Sequence, residues 1–226
     1  MKVAIHQPNF LPWLGYFNKI KEADVFVILD NVQIPRGKSI VNRNTIKSAQ
    51  GKTEIVLPIS HPKGNKRLST YYDVFISENK SKQKILKTIQ YNYSKSPYFN
   101  EIFSEISRIF DYDSFCLLNI AFIKFLVFKL GITTDILLLS EMNINDKKNN
   151  ELIIEICKKT NSSLYLSGLG AKKYNDESLF NENGILLEYQ NFQHPIYSQL
   201  HGEFISHLSI IDALFNAGFE GVKKLI

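Results

Sequence analysis

Apolar and polar positions follow two rhythms along this chain, and the switches between them mark out its elements. Val3-Ala4-Ile5 is a short apolar run that stops at His6-Gln7-Pro8-Asn9. Pro8 has no N–H for a ladder and biases Gln7 towards extended backbone, so a strand ends there. From Pro12 the spacing turns helical. Leu14, Phe17 and Ile20 share a face, with Lys19, Lys21 and Glu22 expected in solvent. Val25 to Leu29 is unbroken apolar sequence, as expected of a strand covered on both faces, and Asp30 stands at its end. This predicts a β-loop-α-β unit that brings His6, Gln7 and Asn9 from one strand, and Asp30 and Gln33 from the next, to one edge. Ligands of open parallel sheets bind outside the carboxyl ends of the strands.

Further along, Asn31 to Lys47 is polar, and a helical turn there would set Arg43 and Lys47 on one face. Ile55 to Ile59 and Tyr71 to Ile76 read as strands of a hairpin or meander joined by the basic loop His61 to Leu68. Helical stripes follow over Lys82–Tyr93, over Ile102–Phe110 and over Ser114–Leu130, the last ended by Gly131. Ile136–Leu139 reads as a buried strand, Lys147–Lys159 as a helix and Leu164–Ser167 as a strand stopped by Gly168-Leu169-Gly170. A short helix over Asp176–Phe180, a strand over Ile185–Tyr189 and a helix over about 208–217 complete the pattern. Strands alternating with helices at both ends predict an α/β, Rossmann-like three-layer fold with a mainly parallel sheet. The expected organisation is one domain over 1–226, with a helical and β-meander insertion or lid at about 52–112.

Composition changes this picture little. With 44% hydrophobic and 22% charged residues the chain is globular. The net charge of +5 raises nucleic acid as a partner. The lysines are scattered beside asparagines and isoleucines, however, so a solvated surface is the expected reading. Clustering of Lys63, Lys66, Arg67, Lys80, Lys82 and Lys84 on one face would instead favour tRNA as an aminoacyl donor. Cys116 and Cys157 sit in apolar helical patterns far apart, which fits reduced thiols and a cytoplasmic location. No leader peptide is recognised at the N-terminus. The most apolar stretch, Ser114 to Leu139, is broken by Asn119, Lys124, Lys129 and Asp135, whereas a membrane span needs about 20 mainly apolar residues.

His6 is the sharpest chemical candidate, as a neutral general base or, protonated, as a phosphate partner. Asp30 could orient a hydroxyl or an amine. Trp13, beside Gly15-Tyr16, offers a flat apolar face for a base or sugar. Gln33, Arg36, Asn42, Arg43 and Lys47 form a group suited to anions, because guanidinium forks bind phosphate in pairs of bonds. Ser167-Gly168-Leu169-Gly170 resembles a phosphate-cradling turn, without the Walker ending or the full GxGxxG spacing. His194, Tyr197 and Gln199 form a polar-aromatic loop that could close over a ligand. No HxxxH or HxH spacing occurs, so no structural metal is expected.

HQPNFLPWLGYFNKI, ADVFVILDNVQIPRG and NRNTIK closely resemble the opening of the WbqC-like family. The resemblance continues through Tyr91-Asn92-Tyr93, YLSGLGAKKY, HPIYSQ and LSIIDALFNAG. It implies an enzyme of bacterial O-antigen or other surface-polysaccharide assembly that transfers an acyl or aminoacyl group to the amine of a nucleotide-linked sugar. It adds Gln7, Asn9, Tyr16 and Asn92 to the candidate site, leaves ATP with Mg²⁺ open as a cofactor, and is compatible with a homodimer. A fainter likeness is to HIGH-type nucleotidyltransferases and their ligase relatives. Only His6 is present here, with Leu14-Gly15-Tyr16 where a second histidine pair would be expected. The alternatives are therefore a nucleotidyltransferase and a non-catalytic partner of a glycan-assembly enzyme.

Overall fold

The computed structural model describes residues 1–35, 41–62 and 69–226; Arg36, Lys63, Lys66 and Arg67 lie outside them. The chain opens with β1 (Lys2–His6), helix α1 (Leu14–Lys21) and β2 (Val25–Ile28). An antiparallel hairpin of β3 (Arg43–Ser48) and β4 (Gly51–Val56) follows, then a short pair, β5 (Ile59–Ser60) and β6 (Phe75–Ile76). Helices α2 (Asn79–Tyr93), α3 (Phe99–Ile109) and α4 (Phe115–Lys129) lead to β7 (Asp135–Leu138). Then come α5 (Asn149–Lys159), β8 (Leu164–Ser167), α6 (Glu177–Glu182), β9 (Leu186–Tyr189) and α7 (Ile210–Leu225).

Five strands form one parallel sheet in the order β7-β2-β1-β8-β9. Numbered by their sequence within the sheet, that order is 3-2-1-4-5, the doubly wound order whose direction reverses beside the first strand. Side-chain alternation splits the core in two. Ala4, Phe26, Ile28 and Leu166 point to one face, where they pack with residues of α1, α3, α4 and α7. Val3, Ile5, Val25, Val27 and Tyr165 point to the other, against Ile154, Ile156, Cys157 and Phe180 of α5 and α6. The result is the expected Rossmann-like three-layer arrangement. Among the described residues no helix is long and apolar enough to cross a membrane.

Several local expectations are corrected. Arg43–Ser48 is a strand of a hairpin, because Arg43, Thr45 and Lys47 alternate with Asn44, Ile46 and Ser48 against β4, so no helical turn forms there. Only Phe75–Ile76 of the Tyr71–Ile76 run pairs as strand. β7 is an edge strand with Asp135 and Leu137 exposed, so it is not buried on both faces. Lys19, expected in solvent, is 3% exposed. The C-terminal helix runs on to Leu225, with Gly218 at φ 71° interrupting it.

Candidate functional site

The sheet reverses direction between β1 and β8, and there the two strands part. Lys2 and His6 carbonyls accept from Asp24 and Leu29 on the β2 side, while the Met1 carbonyl accepts from Leu164 on the β8 side. By that alternation the Ile5 carbonyl faces β8. The β1–β8 ladder stops at Ala4↔Leu166, whereas β8 keeps its pairing with β9 through Ser167↔Tyr189. Lys19 reaches from α1 into the gap and donates from Nζ to the Ile5 carbonyl at 2.9 Å. Gln190, just past β9, ties the same region together: its N–H donates to the Ser167 carbonyl at 2.9 Å and Nε2 to the Gly15 carbonyl at 2.8 Å.

The loop after β1 is held from every side. Asn119 Nδ2 donates to the Pro8 carbonyl at 3.0 Å, and Asn44 Nδ2 and Ser209 Oγ donate to the Leu11 carbonyl at 2.6 and 2.8 Å. Leu11 sits at φ 43°, rare for a residue with a β-carbon. Such strain persists only where surrounding structure over-determines it. Asn9 is 5% exposed, inside this braced loop.

His6 ends β1. Its Nδ1 lies 3.1 Å from the Gln7 carbonyl, which assigns the proton to Nδ1 and leaves Nε2 as an acceptor. Burial, with the nearby charge of Lys19, lowers its pKa to about 4. The ring is therefore neutral at neutral pH, which favours the acceptor role over the protonated phosphate partner. Tyr16 meets the imidazole edge-on at 4.9 Å and donates its hydroxyl to the Gln7 carbonyl at 3.0 Å. Desolvation also lowers the pKa of Lys19, to about 7. Lys19 was missed in the sequence reading, although it lies three residues from Tyr16, on the same helical face.

On the β8 side, Ser167 is fully buried and its Oγ accepts from Asn175 Nδ2 at 3.0 Å. A β-carbon added at Gly168 or Gly170 would meet no protein atom within 4 Å. No crowding inside the protein calls for glycine there; the close approach of a ligand to the backbone would.

Trp13 ends the loop that follows His6 and occupies the N-cap position of α1. Its indole stacks on His207 at 5.3 Å and 24° and on His194 at 6.3 Å and 15°, with Phe192 edge-on at 5.5 Å. His194 Nδ1 lies 3.0 Å from the Pro195 carbonyl, and its buried Nε2 has no hydrogen-bond partner. Burial, and then the neighbouring His207, lower its pKa.

Other candidates serve elsewhere. Asp30 is fully buried, and its carboxylate accepts from Tyr72 Oη at 2.7 Å, Ser140 N at 3.0 Å and Ser140 Oγ at 2.7 Å. It clips the Tyr72 segment and Ser140, two residues past β7, to the end of β2. Exposed Gln33 bridges to Thr70, and Asn42 Nδ2 donates to the Leu57 carbonyl at 3.0 Å. Arg43 pairs with Glu54 at 3.3 Å on the hairpin. Lys47 donates from Nζ to Gln199 Oε1 at 3.1 Å and to the carbonyls of Gly202 and Glu203 at 3.3 and 2.5 Å. Its three N–H donors are thus engaged, so a diphosphate clamp of Arg43 and Lys47 does not assemble. Lys47, Tyr197 and Gln199 gather instead around Asp212 of α7, which accepts from Tyr93 Oη at 2.7 Å, Tyr197 Oη at 2.8 Å and Gln199 Nε2 at 2.8 Å. Burial raises the pKa of Asp212. Its sequence signal was a lone carboxylate among Ile210, Ile211, Ala213, Leu214 and Phe215.

Asn92 lines a separate depression of about 630 Å³ with Lys87, Tyr91, Lys95 and His201. Lys80 and Lys84 line an adjoining one, but Lys82 turns inward and pairs with Asp113 at 2.9 Å, so these three do not form the one-face basic cluster that would have favoured tRNA.

A family model for the WbqC-like protein family matches residues 7–224. The chain belongs to that family. A relative from Mycobacterium tuberculosis (strain ATCC 25618 / H37Rv), described as uncharacterized protein Rv1507c, is 31% identical over 228 residues, covering 99% of this chain and 97% of its own. No solved structure matches. The WbqC-like match begins one residue after His6 and takes in Trp13, Lys19, the Gly168–Gly170 turn and Asp212.

Proposed function

We propose that this chain is a transferase of bacterial surface-polysaccharide assembly, such as that of O-antigen. It would bind a nucleotide-linked amino sugar in the crevice between β1 and β8 and accept an acyl or aminoacyl group onto the sugar's amine. The observation that carries this reading is the reversal of strand order beside β1. The carboxyl edge there carries neutral His6 at the end of β1 and the open Gly168–Gly170 turn after β8, with Trp13, stacked on His207, at the end of the loop that follows His6. A sugar or base packs on the indole face, and the backbone-lined turn suits phosphate. Nε2 of His6 receives a hydrogen bond from the amine and so presents its lone pair to the acyl carbon. Tyr16 fixes the imidazole, and His194, with an unpartnered Nε2, meets a ligand donor.

ATP with Mg²⁺ fits in part. The glycine turn suits a phosphate chain, but Asp30, the carboxylate at the end of β2, has both oxygens engaged, so the residues described do not fit a protein-held Mg²⁺. When bound, ATP would supply activation of a free acid, and this chain's part would be to hold its phosphates.

The test is incubation with UDP- and dTDP-linked amino sugars and acyl-CoA, aminoacyl-tRNA, or free acid with ATP, followed by mass spectrometry of the nucleotide sugar. Amide formation that His6→Ala abolishes without loss of fold supports the reading. Unchanged sugars across all donors, with pyrophosphate released from a sugar phosphate and a nucleoside triphosphate, would replace it with nucleotidyl transfer.

A further inference from the structure

Three lysines among the described residues are buried, and one of them is poorly partnered. Lys82 donates to Asp113 Oδ1 at 2.9 Å and to the Tyr112 carbonyl at 3.1 Å. Lys47 is 1% exposed and its ammonium meets three acceptors. Lys19 is 3% exposed and meets one, the Ile5 carbonyl. Among the described residues no carboxylate lies within ion-pair distance of its Nζ. An ammonium has three donors, and two left unplaced in the interior are costly. Capping one strand-end carbonyl does not need a charge, since a buried water or a shorter neutral donor would suffice. The position of Lys19 supplies the reason. Its ammonium sits on the Ile5 carbonyl where β1 and β8 part, near enough to lower the His6 pKa, at the sheet edge from which the uncrowded Gly168–Gly170 turn also leaves.

We infer that Lys19 is the anion anchor of the crevice: its ammonium receives a phosphate of the ligand, inserted between the ends of β1 and β8. The inference deepens the reading above by naming the group that meets the diphosphate of a nucleotide sugar, and it concerns binding alone. His6 is the nearby titratable group in electrostatic contact with Lys19, and its neutral ring leaves the lysine as the positive charge at the crevice floor. Desolvation favours the neutral amine in the empty site, so an arriving anion restores the ammonium and draws a proton from solvent.

Isothermal titration of the full chain with UDP and with inorganic pyrophosphate tests this. It is run at about pH 6.5 and about pH 8.5 in two buffers of different ionisation heat, so that proton uptake is read directly. Wild type should bind saturably and take up about one proton per UDP at the higher pH, where the nucleotide phosphate is already ionised. Lys19→Met should weaken binding at least about tenfold and abolish the uptake. Wild-type affinity and uptake in that variant, or no saturable binding of either anion by wild type, would overturn the inference. The proton count on wild type requires no variant to fold. Amide transfer with unchanged KM in Lys19→Met would sink the anchor and leave the transfer reading standing. Anion binding through Lys19 without transfer to any sugar would do the reverse.

Discussion

Trp13 lies so close over Gly15 that a β-carbon on the glycine would sit 2.3 Å from the indole ring. Gly15 is buried in the first turn of α1 and keeps helical backbone, so it is steric room for the ring that fixes this glycine. Gly15→Ala is expected to push the indole off its stack with His207 and cost about 1–3 kcal/mol, as overpacking does. Trp13 is the single tryptophan. Its fluorescence should therefore shift to the red and lose its response to ligand. An unchanged spectrum would mean that the ring has another resting place.

His6 makes acid the weak side of this protein. Its pKa falls from 6.5 to about 4 on folding, chiefly through burial. Between those values the unfolded chain binds more protons, so stability is full above about pH 6.5 and is lost as pH falls towards 4. His6→Gln should flatten this limb of a Tm-against-pH curve. Parallel curves for the two proteins would show that the imidazole stays charged in the fold.

Buried Lys47 and buried Lys19 should respond oppositely to removal of their charge. Lys47→Met takes the ammonium donor from the carbonyls of Gly202 and Glu203 and one of two donors from Gln199 Oε1, which keeps the Ile205 N–H, and should cost about 2–4 kcal/mol. Lys19→Met removes an uncompensated ammonium and should hold or raise Tm at and below about pH 7. Wild-type stability should rise from about pH 7, the folded pKa, towards 10.5, the unfolded value, because over that range the unfolded state holds the extra proton. The Lys19→Met curve should lack that rise. Differential scanning fluorimetry across pH reads both effects.

Asp212 holds the segment from Phe192 to Ser209 against α7 through Tyr197 and Gln199. Asp212→Ala removes the acceptor of two tyrosine hydroxyls and of one Gln199 N–H, whose amide keeps the Ile205 backbone, an expected loss of about 3–5 kcal/mol. Before global unfolding, limited proteolysis should cut within 192–209 in the variant and spare wild type. Asp212→Asn, which keeps an acceptor, should lie between them.

The periodicities made most of the layers readable, because strands covered on both faces and helices with one apolar stripe leave repeating marks. Val25 to Leu29 and the Ile102–Phe110 stripe are examples. That the end of β1 delivers polar residues to the carboxyl edge of the sheet also followed from the abrupt polarity of His6 to Asn9. Side-chain partners that depend on distant segments were not readable. Lys19 looked like a surface residue because the gap it fills is made by β8, over a hundred residues away. Lys47 and Arg43 looked like a pair because the hairpin that separates their partners leaves only a weak alternation. Asp212 passed unnoticed because its three donors come from α2 and from the loop before α7.

The sheet ends, at both sides, in strands of four residues. β7 opens with exposed Asp135, and β9 carries Glu188 paired to Lys2 at 3.1 Å. Brief edges bearing fixed charge are poor templates for a neighbour's backbone, since a sixth strand would gain few bonds and would have to desolvate a carboxylate. The five-stranded sheet is thereby protected from growing by a neighbour's strand at either edge.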